Sequence, residues 1–173
     1  MKATGEVMSI ADNFEEALMK AVRGVEISID TMNMPKMARL DTGELFAIIK
    51  KQTDERIFAV YELIKRGVSI GEIHSITKID KWFLSKLKNL SDYEHEIENR
   101  VICYDLYVKG KRLGYTDAAL KRIYGHEIEH SLKPVYKMVD TCAAEFHANT
   151  PYFYASYDTK ESGGTNDALE FIG

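Results

Sequence analysis

Between residues 13 and 125 the chain is cut into short amphipathic pieces, each carrying its own start and stop signal. Asn13 can cap a helix whose Glu16 completes a capping box, with Phe14, Ala17, Leu18, Ala21, Val22 and Val25 on one face. Asp41 or Thr42 opens a short helix carrying Leu45, Phe46, Ile48 and Ile49. Thr53 and Asp54 open the next, with Ile57, Val60, Tyr61 and Ile64 aligned and Gly67 as its stop. Ser69 with Glu72 starts a piece that ends near Thr77, and Asp80 caps a long helix from Lys81 towards Ile97. A further segment runs from Val101 to the Gly114 stop, and Thr116 caps a last short helix before Gly125. Helices this closely spaced, with almost no strand alternation before residue 134, specify an all-α bundle of short helices. Small extended segments are expected only at the N- and C-terminal ends. The expected core centres on Trp82, Phe83, Leu87, Phe58, Tyr61, Leu18 and Val22, so Trp82→Ala is expected to cost about 3–5 kcal/mol.

At 173 residues the chain is long enough for one real core. Its 45% apolar and 29% charged residues are a globular balance, and three prolines leave little room for a disordered linker. A net charge of −4, with lysines and arginines spread among acids, argues against a nucleic-acid partner. No run approaches the roughly 18 apolar residues of a membrane span, and the first residues carry no secretory segment. Cys103 and Cys142 stand far apart in no metal-ligand spacing, which suits free thiols in a cytoplasmic chain.

One literal motif suggests chemistry. His126-Glu127-Ile128-Glu129-His130 satisfies H-E-x-x-H, which on a helix sets two imidazoles one turn apart for zinc with a glutamate to activate water. Against it, Gly125 and Pro134 leave about two helical turns at best. Ile128 is nearly the only apolar residue around it, and Glu145 is the one plausible downstream third ligand. A small zinc-dependent hydrolase using His126, Glu127 and His130 is therefore the alternative reading, not the main one. Cys142 reads as a small packed residue rather than a nucleophile, Asp140 and Thr141 as turn caps, and Arg56 as part of a first-turn charge cluster. The segment holds no glycine-rich phosphate cradle.

The final stretch has a different texture. Val135, Lys137 and Val139 alternate with Tyr136, Met138 and Asp140, as in a short strand, and an aromatic-rich run follows Pro151. The wording PVYK-x-VDTCAAEF followed by TPY-x-Y-x-x-Y resembles the close of the central helical domain of the carbamoyl-phosphate synthetase large subunit. The resemblance is colinear elsewhere: TGEVMSI with FEEALMKAVRGVE (Thr4 to Glu26), TDERIFAVYELIKRG with SIGEIHSITKIDKWFL (Thr53 to Leu84), and LGYTDAALKRIYG (Leu113 to Gly125). It runs from about Thr4 to Tyr157, beyond which the residues depart from the family.

That resemblance implies a non-catalytic oligomerisation or connection domain. Residues 1–12 would end a preceding ATP-grasp half, 13–157 would form the helical domain, and 158–173 a flexible linker towards a second half. The fragment would be no enzyme and hold no cofactor, metal or catalytic residue. Its parent would be a glutamine-hydrolysing, ATP-dependent ligase using Mg or Mn and making carbamoyl phosphate for arginine and pyrimidine synthesis. Implied partners are the flanking ATP-grasp domains, a second large subunit and a glutaminase small subunit, with no nucleic acid or membrane. For self-association the sequence points to Thr31–Leu40, where Met32, Met34 and Met37 place three of the seven methionines beside Leu40; the alternative, favoured for at least one of the three, is that they fold back as a lid over the first helix.

Overall fold

A computed structural model of the protein describes residues 7–141 and 150–157, so Cys142, Glu145 and the 158–173 linker lie outside the described residues. Eight helices are described: α1 (Phe14–Gly24), α2 (Pro35–Ala38), α3 (Thr42–Ile49), α4 (Arg56–Lys65), α5 (Ile70–Thr77), α6 (Lys81–Glu98), α7 (Tyr104–Arg112) and α8 (Asp117–Tyr124). A two-stranded antiparallel ribbon, β1 (Val135–Met138) with β2 (Phe153–Ser156), follows them. The chain is mostly helical, as the punctuation predicted. The expected extended structure is present at the C-terminal end, whereas residues 7–13 form no strand.

Local chemistry explains most boundaries. Asp41 and Glu44 make a reciprocal capping box at α3. The Ser69 hydroxyl accepts from the Glu72 amide and the Thr116 hydroxyl from the Ala119 amide. Gly67, at φ +85°, lets the chain turn back so that Val68 N–H reaches Leu63 O, closing α4. Two starts differ from expectation. Asn13 accepts from the Glu16 amide at 2.9 Å, but the Glu16 carboxylate is drawn to Lys20 one turn on, so the box stays half-formed. The fourth helix begins at Arg56 with no side-chain cap, its amide donating to Thr53 O instead.

Helix α6 is the axis of the bundle. Helices α1, α4, α5 and α8 pack against it, and α3 and α2 pack against α4. Its core stripe is Leu84, Leu87, Leu90 and Ile97 at helical spacing, facing Phe58, Tyr61, Leu63 and Ile64 of α4 and Val22 of α1 within one cluster. Phe58, Tyr61, Leu87 and Val22 are thus core as expected, while Leu18 is half-buried at the edge. Trp82 and Phe83 are corrected: they remain 52% and 44% exposed. They precede the stripe in the first turn of α6, where only Leu84 turns fully inward, and they meet Phe14 instead, with ring centroids 4.9–5.4 Å apart. Because half of the indole is already in water, Trp82→Ala is expected to cost about 1–2 kcal/mol, against the 3–5 of a fully buried tryptophan. The shift in a urea midpoint reads this directly.

Candidate functional site

The HEIEH segment is not helical. Residues 125–134 run irregularly from the end of α8 to β1, because Gly125, at φ +77°, terminates α8 before His126. The two imidazoles are engaged separately. His126 lies edge-on to Tyr124 at 5.1 Å, and His130 sits 5.7 Å from both Tyr104 and Tyr107. Glu127 is exposed and pairs with Lys121. Among the described residues no three His, Cys, Asp or Glu side chains gather as a metal site. The zinc-hydrolase alternative finds no support in this arrangement.

Arg56, expected to belong to a first-turn charge cluster, instead acts as a clamp. Its Nε donates to Ile49 O at 2.8 Å and its Nη2 to Thr77 O at 2.9 Å. One planar guanidinium thereby satisfies carbonyls at the C-terminal ends of both α3 and α5. Cys103 is an exposed free thiol at the N-terminus of α7.

In the methionine segment the inward alternative prevails over the exposed loop for two of the three methionines. Met32 and Met37 are 1% and 0% exposed and belong to the core cluster; their flexible side chains fill it beside α4. Met34 and Leu40 are half-buried, and Pro35, Lys36, Ala38 and Arg39 face outward. Lys36 pairs with Glu55, and Arg66 donates to Met37 O and Ala38 O, so the segment is tied down along its length.

A polar cluster that the sequence did not reveal holds this segment from beneath. Glu94 on α6 is 1% exposed. Its carboxylate accepts from Asn33 Nδ2 at 2.9 and 2.8 Å and from the Tyr115 hydroxyl at 3.0 Å, with Lys65 Nζ at 3.4 Å. Lys65 also donates to Asn33 Oδ1 at 2.7 Å. The Tyr61 hydroxyl is buried alongside without a hydrogen bond of good geometry. Burial first, and the Glu94 charge second, push its ionisation far above the ordinary tyrosine range. Burial likewise raises Tyr115, helped by Tyr61 and Glu94. All of these groups are structural partners of one another. Outward apolar features on the helical body include the Phe14–Trp82–Phe83 rings, with Lys86 Nζ 5.2 Å above the indole, the half-buried Leu40 edge, and the exposed Val101 and Tyr104.

Residues 6–138 match the family described as carbamoyl-phosphate synthetase large chain, oligomerisation domain. The carbamoyl phosphate synthase large chain of Clostridium acetobutylicum is 41% identical over 182 aligned residues, covering 99% of this chain and 17% of its own length. The likeness to that relative thus extends past Tyr157, where the sequence reading had expected it to stop.

Proposed function

The chain belongs to the family of carbamoyl-phosphate synthetase large-chain oligomerisation domains, and from that premise we propose that it is a connecting and self-associating module with no chemistry of its own. It spans 17% of the length of its curated relative, so the rest of that large chain would surround it. In that setting the module holds two ATP-grasp domains in fixed relation. The whole protein, in the cytoplasm and with a glutaminase small subunit, makes carbamoyl phosphate from bicarbonate, glutamine-derived ammonia and ATP with Mg or Mn. The product serves arginine and pyrimidine synthesis.

The observation that carries this reading is the Phe14–Trp82–Phe83 cluster, three mutually packed rings of which Trp82 and Phe83 stay half in water on the outside of a fully formed core. A preassembled apolar surface of this kind is favoured where another folded surface covers it. No helix among the described residues is long and apolar enough to cross a membrane.

For contact between two copies of the module, the edge at Leu40, flanked by exposed Arg39 and by Asp41, the N-cap of α3, is the proposed surface, with Met34 at its margin. Met32 and Met37 support it from inside rather than touching the partner. Sedimentation of the 173-residue chain with Leu40→Asp tests the assignment. The expected result is a self-associating starting chain and a variant shifted to monomer with its melting temperature little changed. Equal association by the variant would place the contact elsewhere, and a starting chain that stays monomeric at every concentration would overturn self-association by the module alone.

A further inference from the structure

The β1–β2 ribbon is attached to the helical body in an unusual way. Its register pairs Val135 with Ser156, Tyr136 with Ala155, Lys137 with Tyr154 and Met138 with Phe153. Alternation therefore puts Val135, Lys137, Tyr154 and Ser156 on the inner face, and Tyr136, Met138 and Phe153 on the outer face, where they are 40–48% exposed. A lone two-stranded ribbon is marginal in water and depends on what it docks against. Yet none of its described side chains belongs to the hydrophobic core or packs against it.

Docking is polar instead. Asp12, just before α1, gathers the inner face: its carboxylate accepts from the Ser156 hydroxyl, from the Tyr154 hydroxyl at 3.2 Å and from Lys137 Nζ at 3.0 Å. Burial alone would raise the Asp12 pKa, but the hydrogen bonds from Ser156 and Lys137 outweigh it and hold it below the ordinary aspartate value. From α1, Lys20 Nζ donates to Ile10 O at 3.1 Å and to Ala155 O at 2.6 Å, stitching the entering segment to β2. Beyond β2, Arg112 Nε donates to Tyr157 O at 3.4 Å, and Lys111 Nζ lies 4.7 Å over the Tyr157 ring. Hydrogen bonds of this kind contribute little net free energy each, and units joined by them open more readily than a packed core does.

We infer that the ribbon is a latched strap: Asp12 and Lys20 clasp it to the segment entering α1, and it releases as a unit without unfolding the helical bundle. The latch fixes residues 10–12 against residues 154–157 while it is closed. Opening it frees β1 and β2 from the body and leaves the α1–α8 bundle as it was.

Amide hydrogen exchange on the 173-residue chain tests this. In the starting protein, ribbon amides such as Val139, which donates to Tyr152 O, should exchange at least about tenfold faster than the inner amides of α6. Asp12→Ala should accelerate the ribbon amides by a further factor of about ten, the size expected for one lost charged cluster, with α6 rates and the melting temperature unchanged. Lys137→Met with Ser156→Ala, which dismantles the latch from the other side, should do the same. The inference is overturned if ribbon and α6 amides exchange at one common rate, if both accelerate together in Asp12→Ala, or if the ribbon amides do not respond.

Discussion

Replacing Glu94 with alanine is expected to destabilise the chain by about 3–5 kcal/mol, the range for breaking a buried charged cluster by removing one partner. A typical domain has only about 5–15 kcal/mol in hand, so the variant should sit near its unfolding threshold at moderate temperature. The reason lies in what is left behind. Asn33 Nδ2, the Tyr115 hydroxyl and Lys65 Nζ all point at the Glu94 carboxylate, and Tyr115 is itself 1% exposed. Without the acceptor, the buried Tyr115 hydroxyl and the half-buried Asn33 amide face a cavity, and each unsatisfied buried group costs about 1–3 kcal/mol. Asn33 also loses its anchor, and through it the 31–34 segment that lays Met32 into the core. Glu94→Gln keeps the shape and one acceptor oxygen, so it should cost clearly less. Denaturant unfolding of both variants reads the difference. A Glu94→Ala protein within about 1 kcal/mol of the starting chain would mean that water refills the site and that the cluster does not hold the loop.

The boundaries of the bundle were legible because they are written within a few residues of each other. Asp41 with Glu44, Ser69 with Glu72, and the glycines at 67 and 125 act on their own turns, so their chemistry reads the same in any fold. What escaped the sequence depends on residues far apart in it. Asn33 and Glu94 are 61 positions apart, and nothing local marks either as a partner. Arg56 looked like one more charge in a first turn until α3 and α5 brought two carbonyl ends to it. Trp82 and Phe83 carry the composition of a core, but burial is decided by what neighbouring helices cover, and on the outer side of the first turn of α6 the two rings meet Phe14 of α1 and stay half in water. Among the methionines the inward alternative won for Met32 and Met37, since an irregular segment with a proline can still fold inward when its side chains are flexible enough to fill gaps. The HEIEH motif shows the same limit at the level of chemistry: two histidines four apart share a face only if a helix runs through them, and Gly125 ends it first.

Gly110→Ala is expected to lower stability by about 3 kcal/mol, although alanine is the better helix former by about 1 kcal/mol. Gly110 is buried in α7, where a Cβ would stand 2.1 Å from the Tyr93 hydroxyl and 2.9 Å from Leu120 Cδ2. Tyr93 cannot simply step aside. Its hydroxyl donates to Leu106 O at 3.0 Å, one turn earlier in α7, and its ring packs 5.2 Å from that of Tyr115. Burial therefore keeps the phenol neutral, its ionisation raised well above the usual tyrosine range, with the Glu96 charge adding to the effect. An added methyl must push α7 off α6, or expel the phenol and leave a buried hydroxyl without its acceptor, and both are costly. The glycine thus leaves the room that the Tyr93 phenol occupies against α7. The double variant Gly110→Ala with Tyr93→Phe separates this from a propensity effect, because removing the hydroxyl removes the tightest clash. Its loss should be smaller than the sum of the two single losses by about 1 kcal/mol or more, a coupling that denaturant unfolding of the four proteins resolves. Additive losses, or a Gly110→Ala chain more stable than the starting one, would show that the Tyr93 phenol does not need a glycine beneath it.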